Sequence, residues 1–258
     1  MIMSRVSDRL NRLSYSQTFV MSNKARDMKA AGIDVISLTL GEPDFDVPDN
    51  IKKAAFDAIN ENYSHYSPVP GFLELRKAIV NKLKRDNNLD YKPTQICVAN
   101  GAKQNIFNVL AALVNEGDEV ILPAPYWVSY DEMVKINGGV SVFIETNIDT
   151  EFKMTAEQLE AAITPKTKAV LYSSPCNPSG SYYTREELEK IANVMAKYPD
   201  VVIISDEIYE FINYDGEHVS IAEFPQVFNQ TAVINGMSKA FAMTGWRIGY
   251  SACPEWLA

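Results

Sequence analysis

The sequence predicts an α/β fold in which a mainly parallel sheet of seven strands lies between two layers of helices. Seven short segments are rich in Val, Ile and Tyr, and most lack strict alternation, as is typical of strands buried on both faces. Helix-like segments separate most of them, and strands that alternate with helices favour a parallel sheet. The strand candidates are residues 95–99, 119–122, 140–145, 168–173, 201–205, 232–235 and 247–252. In such folds ligands bind beyond the carboxyl ends of the strands.

Helices are predicted between the strands and ahead of them. Thr155 with Gln158, and Thr184 with Glu187, have the spacing of a capping box at a helix start. The first 48 residues differ, with a helix-like start and then residues 35–40, which end at the turn Gly41-Glu42-Pro43-Asp44. The predicted helices are residues 49–61, 71–85, 103–115, 128–137, 155–162 and 185–197.

Composition excludes several classes of protein. A net charge of -9 and a pI near 4.9 disfavour nucleic-acid binding. No apolar run approaches the roughly 20 residues of a membrane span, and residues 1–5 lack the apolar core of a secretory signal. The three cysteines, Cys97, Cys176 and Cys253, are widely spaced and indicate neither a disulfide framework nor a zinc site. We expect a soluble cytoplasmic protein that binds no metal.

Lys239 is the most informative single residue. It lies in the run 236–249 among Gly, Ser, Ala, Phe and Met, and Arg247 follows eight positions later. Burial would lower the pKa of the lysine and leave a nucleophilic amine, which condenses with aldehydes. An arginine nearby suits a phosphate. Aldehyde and phosphate together describe pyridoxal phosphate, although a lysine with a buried stem and a solvated amine is the alternative.

The predicted strand ends carry complementary groups. Small residues around Ala102 and Lys103 leave the first amides of a helix open to an anion, unless they form a plain turn. Trp127 follows the second strand and could stack on a flat ring or simply pack. Asn177, between two prolines, could donate to a ligand oxygen or serve the turn alone.

Asp206 follows the apolar strand 201–205, with Tyr209 three residues later. A carboxylate there is costly unless it meets a cation, such as a protonated pyridine nitrogen. A helix cap is the alternative role for Asp206. Taken together, the strand ends offer what a phosphorylated pyridine aldehyde requires.

With these residues the chain resembles the class I pyridoxal-phosphate aminotransferases of the aspartate aminotransferase superfamily. The resemblance runs from end to end and is most specific in residues 236–249. Further similar segments are GEPDF at 41–45, YSPVPGFLELR at 66–76, PYWVSY at 125–130 and SDEIY at 205–209. The resemblance implies a seven-stranded large domain at residues 49–258, and an N-terminal arm with part of a small domain at residues 1–48.

The resemblance also implies roles for single residues. Lys239 would form the Schiff base and shuttle the proton, and Asp206 would pair with the pyridine nitrogen. The remaining cofactor contacts would be Asn177 and Tyr209 at the phenolic oxygen, Arg247 with the amides of Ala102 and Lys103 at the phosphate, and Trp127 on the ring. Tyr66 would reach a phosphate across the interface of a homodimer with shared sites.

The implied reaction is ping-pong transamination between an amino acid and a 2-oxo acid. Gly41, Trp127 and Asn177 would line the substrate side. Lys103 resembles a lysine that one subgroup uses for the distal carboxylate, so aspartate or glutamate is the expected donor. Aromatic or alanine specificity and β-lyase chemistry are alternatives within the same fold.

The chain departs from the family pattern in two places. Ser179 stands before Gly180 where Thr is usual. Family members also continue beyond the position of Ala258, and that part supplies the arginine that holds the substrate α-carboxylate. An inactive fragment that aggregates or turns over negligible substrate is therefore a further alternative.

Overall fold

Seven strands form one sheet in the computed structural model, which describes residues 5–214 and 216–258. Their order across the sheet is β1-β7-β6-β5-β4-β2-β3. The predicted fold class is confirmed. The strands are β1 (Ile96–Ala99), β2 (Glu119–Ala124), β3 (Val140–Glu145), β4 (Thr167–Ser173), β5 (Val202–Asp206), β6 (Thr231–Gly236) and β7 (Gly249–Ala252).

Strand direction brings the chemically distinctive residues to one edge. The pairs from β3 through β2, β4 and β5 to β6 are parallel, whereas β7 runs antiparallel to both β1 and β6. Ser173 at the end of β4 lies opposite Asp206 at the end of β5, and Asp206 lies opposite Ile234 of β6. The reversed β7 begins at this same edge, so residues just before it lie beside the ends of the parallel strands.

The helices begin close to where the sequence predicts them. Both predicted capping boxes are present, with Thr155 accepting from the Gln158 amide and Thr184 from the Glu187 amide. The helices within the described residues are α1 (Asp8–Asn11), α2 (Gln17–Ala30), α3 (Asp49–Asn60), α4 (Leu73–Asn87), α5 (Ala102–Leu113), α6 (Ser129–Ile136), α7 (Ala156–Ala162) and α8 (Arg185–Met195).

The side chains of alternating strand residues pack into two hydrophobic cores on opposite faces of the sheet. On one face Leu122 and Ile204 pack with α5 and α6. On the other face Ile121 and Ile203 pack with α7 and α8, and Val233 packs with α4. This arrangement explains the weak alternation in the sequence, because both faces are covered by apolar helices.

Two details differ from the predicted elements. The predicted strand 247–252 begins only at Gly249, because a short 3-10 turn at Thr244–Trp246 leaves Arg247 in the left-handed region with φ 54°. Asp206 is the last residue of β5 rather than the first residue after it. Residues 35–40, for which the sequence predicts no element type, are assigned to neither helix nor strand, and Ile36, Leu38 and Leu40 are exposed.

Apolar exposure is concentrated before residue 70. Ile36, Leu38, Phe45, Tyr66 and Val69 are all strongly exposed. No helix within the described residues combines the length and the apolar character that crossing a membrane requires.

Candidate active site

Asp206 lies at the centre of the sheet edge, at the end of β5, and is 3% exposed. Its Oδ2 accepts from the Tyr130 hydroxyl at 2.6 Å, and its Oδ1 accepts from the Ile208 amide at 3.3 Å. Burial raises the pKa of Asp206 to about 6, although these two hydrogen bonds oppose the rise. Among the ion pairs of the described residues none includes Asp206.

Lys239 approaches the same edge from the loop after β6 and is partly buried. Its Nζ donates to the carbonyl oxygen of Gly41 at 2.5 Å and lies 5.8 Å from the centroid of the Tyr209 ring. Burial lowers the pKa of this amine; Glu42 opposes that effect, and Arg247 adds to it. More of the amine is therefore unprotonated than in an exposed lysine.

Tyr209 joins these two groups. The pKa of Tyr209 is raised overall, because burial and the neighbouring Asp206 carboxylate both raise it. A hydrogen bond with the Asn177 side chain partly opposes this rise. Asn177 is partly buried in the turn after β4, and its own amide donates to Ser173 Oγ at 3.3 Å. Four of the residues predicted from the sequence, Asp206, Lys239, Tyr209 and Asn177, thus lie near one another at this edge of the sheet.

The start of α5 lies against the side chain of Arg247. Gly101 caps the helix with φ +89°, and a Cβ added there would lie 2.3 Å from the Arg247 guanidinium. That guanidinium is exposed and donates to the carbonyl oxygens of Thr244 at 2.8 Å and Asn100 at 3.3 Å. A helix N-terminus and a guanidinium together favour an anion such as phosphate.

Trp127 lies beside Lys103, which is in the first turn of α5. Trp127 is partly buried after β2, and its ring lies 5.2 Å from the Lys103 amine. Burial lowers the pKa of Lys103, and the positive charge of Arg247 lowers it further. Two cations and a helix N-terminus therefore make this end of the site electropositive.

The segment around Gly41 contacts Lys239, whereas Tyr66 shares none of the described contacts with the site. Gly41 contacts the lysine through its carbonyl oxygen, and Glu42 is held by a hydrogen bond from the Thr244 hydroxyl. Tyr66 is fully exposed, and the described contacts do not bring it to the other predicted residues of the same chain.

Sequence reasoning missed two residues that shape the site. Tyr130 donates to Asp206, and its position three residues after Trp127 at the start of a helix was the available signal. Gly249 lets β7 pass the start of α5, since a Cβ there would lie 2.3 Å from the Ala102 amide nitrogen. Nothing in the local sequence around Gly249 indicates that approach.

A buried polar network adjoins the site on the opposite face and was also missed. Glu207 accepts from Ser205 at 2.9 Å and Ser220 at 2.7 Å, and its other oxygen lies 3.1 Å from His218 Nε2. Burial lowers the pKa of His218, but its pairing with Glu207 outweighs this and raises it overall. This network fixes the segment that carries Asp206 and Tyr209.

Comparisons with known proteins identify a family and several similar chains. The profile of the family described as aminotransferase class I and II matches residues 33–258. The chain is 53% identical over 249 residues to the aspartate aminotransferase of Bacillus sp. (strain YM-2), covering 96% of this chain and 63% of that protein. It is 51% identical over 254 residues to the probable aspartate/prephenate aminotransferase of Rhizobium leguminosarum bv. phaseoli, covering 98% and 64%.

The same similarity extends to solved structures. The aspartate aminotransferase from Thermus thermophilus with maleate has a TM-score of 0.95 at 42% identity, covering 99% of this chain and 66% of that chain. The chain spans 63% and 64% of the length of the two curated relatives.

Proposed function

The chain belongs to the aminotransferase class I and II family, and on this premise we propose that it carries the pyridoxal-phosphate site of a transaminase. With pyridoxal phosphate bound as the carrier of the amino group, the site would serve a ping-pong exchange in which an amino acid would leave as a 2-oxo acid and a second 2-oxo acid would receive the group. Aspartate or glutamate is the proposed donor.

The observation that carries this proposal is the buried Asp206 carboxylate. Its hydrogen bonds come from neutral donors, and a carboxylate in such a place is costly without a cation. A protonated pyridine nitrogen would supply that positive charge. The residues present therefore fit pyridoxal phosphate better than a neutral ligand of the same shape.

Other residues would hold the remaining parts of the cofactor. The phosphate would lie between Arg247 and the amides of Ala102 and Lys103, where the helix N-terminus favours an anion. Asn177 and Tyr209 would contact the phenolic oxygen, and Trp127 would stack on the ring. When bound, the cofactor supplies an aldehyde for condensation with amines and a pyridinium ring that withdraws electrons from the substrate Cα.

Lys239 would perform the proton transfers. Burial lowers its pKa, so more of the amine is unprotonated, and the unprotonated form would be both a nucleophile toward the aldehyde and a base toward the Cα proton. In the base role the Lys239 Nζ would take up the proton from the substrate Cα and return it. Gly41, which contacts the amine, would line the substrate side together with Trp127 and Asn177.

Lys103 would select dicarboxylic substrates. Its amine lies beside Trp127 in the electropositive part of the site, which suits the distal carboxylate of aspartate. The similar structure from Thermus thermophilus is an aspartate aminotransferase with maleate, which is a dicarboxylate. Because a relative from Rhizobium leguminosarum is named for both aspartate and prephenate, prephenate is the second candidate substrate.

We also propose that two copies form a homodimer with shared sites. The exposed apolar residues before residue 70 would be covered by the second copy. Tyr66, which is exposed and distant from its own site, would reach the phosphate in the partner. Light scattering of the purified chain tests this arrangement: a dimer supports it, and a monomer that binds the cofactor contradicts it.

A chemical trapping experiment tests the cofactor site. The chain is incubated with pyridoxal phosphate, reduced with borohydride and digested, and the modified peptide is identified by mass spectrometry. We expect one pyridoxyl group on Lys239. Lys153 is the internal control, because this buried lysine is paired with Glu151 and Glu187, which raise its pKa. Modification at Lys153 or on surface lysines, with Lys239 unmodified, would contradict the proposal.

Steady-state assays separate the substrate classes. Aspartate with 2-oxoglutarate is compared with phenylalanine, alanine and cystathionine as donors, and prephenate is compared with 2-oxoglutarate as acceptor. A preference for aspartate supports the proposal. Faster reaction with phenylalanine or alanine indicates another specificity, and pyruvate release from cystathionine indicates β-lyase chemistry.

A further inference from the structure

We propose that Tyr130 is a positioning residue for the cofactor: its hydroxyl fixes the Asp206 carboxylate in the orientation and charge state that the pyridine nitrogen requires. This inference rests on the proposed function and adds a residue to it. Tyr130 lies on α6, whereas Asp206 ends β5, so the contact joins two elements that are distant in sequence.

The geometry restrains both carboxylate oxygens. Tyr130 is 1% exposed, and its hydroxyl donates to Oδ2 of Asp206 at 2.6 Å. The Ile208 amide donates to Oδ1 at 3.3 Å. With one donor on each oxygen, rotation of the carboxylate would break a hydrogen bond in a buried place. The shorter bond, from Tyr130, is the stronger restraint.

The direction of proton donation is also fixed. Burial and the adjacent Asp206 charge raise the pKa of Tyr130 well above 10, so its phenol keeps its proton. Burial raises the pKa of Asp206, and the Tyr130 hydrogen bond is the largest effect that opposes this rise. Without Tyr130, more of Asp206 would be a neutral acid at neutral pH, which would pair less well with a pyridinium.

Tyr130 also contacts the residue proposed to stack on the cofactor ring. The Trp127 and Tyr130 rings meet edge to face, with centroids 5.5 Å apart at 90°. Asp206 and Trp127, which would contact the edge and the face of the same pyridine ring, are thus held by one side chain. Their relative placement depends on Tyr130.

The first test measures the carboxyl group without any cofactor. Carbon-13 NMR of protein labelled at aspartate follows its titration, and Asp206→Asn identifies the signal. The wild-type carboxyl is expected to titrate near pH 6. In Tyr130→Phe it should titrate at higher pH, because the opposing hydrogen bond is gone. Tyr126→Phe is the matched control, since that nearby ring stacks on Phe143 instead. An unchanged titration in Tyr130→Phe would overturn the proposal.

The second test measures cofactor affinity by fluorescence titration. Loss of one hydrogen bond to a charged group predicts that Tyr130→Phe binds pyridoxal phosphate about tenfold to hundredfold more weakly. In the Asp206→Asn background the same change should have little effect, because Tyr130 acts through that carboxylate. An equal loss in both backgrounds would show a general structural role and contradict the proposal.

Two further measurements keep the result interpretable. If Tyr130→Phe does not fold, 4-aminophenylalanine at position 130 retains an N–H donor, and 4-fluorophenylalanine does not. Only the first should preserve the Asp206 titration, and equal behaviour of the two would refute the role of the donor. If the wild-type chain binds no pyridoxal phosphate at Lys239, the proposed function fails, whereas the NMR result stands independently.

Discussion

Replacing Asp206 with Asn should stabilise the cofactor-free protein, although it removes a residue proposed to hold the cofactor. The pKa of Asp206 is raised from 3.8 to about 6, a shift of about two units. At about 1.4 kcal/mol per unit, ionising this buried carboxyl costs about 3 kcal/mol above pH 6. Asn is nearly isosteric and can still accept from Tyr130, so it removes the charge while leaving most of the packing.

The effect of Asp206→Asn on stability should depend on pH. A carboxyl whose folded pKa is raised binds its proton more tightly in the folded state, so the protein loses stability as pH rises from 3.8 to about 6. The gain from Asp206→Asn should therefore be near zero at about pH 4, roughly half of its final value at about pH 5, and complete above about pH 6. Urea unfolding of the cofactor-free protein at several pH values measures it.

The adjacent Glu207 is the matched control. It is also buried, but it pairs with His218 and accepts from two serine hydroxyls. Glu207→Gln should destabilise the protein by about 1–3 kcal/mol, because it breaks these charge-assisted contacts. Neighbouring substitutions that each remove one buried negative charge thus have opposite effects. If Asp206→Asn lowers stability at about pH 8 as Glu207→Gln does, the account of Asp206 as an uncompensated carboxylate is wrong.

Three further predictions concern the surrounding residues. The pKa of His218 is raised in the folded protein, so its contribution to stability should be present below pH 6.5 and disappear as pH rises through the folded pKa. In urea unfolding, His218→Asn should therefore be less stable than wild type at acid pH and equally stable at alkaline pH. A difference that is the same at every pH would contradict this. Gly249→Ala should lower the free energy of unfolding in urea by roughly 1–3 kcal/mol and weaken phosphate binding measured by calorimetry, because its Cβ would meet the Ala102 amide. Gly245→Ala, whose Cβ would meet no atom, should change the free energy of unfolding by less than about 0.5 kcal/mol. Equal effects of the two substitutions would contradict the close approach. Lys103→Gln should lower kcat/KM for aspartate about tenfold to hundredfold and leave that for phenylalanine nearly unchanged, and a uniform loss would contradict a role in specificity.

The fold could be predicted from sequence because its signals are local. The apolar strands, the capping boxes at Thr155 and Thr184 and the run that ends at Asp206 each lie within a few consecutive residues. Parallel strands then bring their ends to one edge, which is why Asp206, Tyr209 and Asn177 could be placed together in advance.

The remaining features depend on packing between distant segments. Tyr130 and Asp206 are 76 positions apart, and their contact requires the angle at which α6 packs on the sheet. The left-handed Arg247 follows from a 3-10 turn that strand propensity does not reveal. Glu207 and His218 pair across a loop, and although Glu207 lies in the SDEIY segment, nothing in the sequence indicates that His218 is its partner.

The most direct test of the central claim is a crystal structure of the chain with pyridoxal phosphate. We predict that the pyridine nitrogen lies within hydrogen-bonding distance of the Asp206 carboxylate, with Lys239 bonded to the aldehyde carbon and the phosphate between Arg247 and the start of α5. A cofactor bound elsewhere, or bound here with its nitrogen turned away from Asp206, would contradict the account.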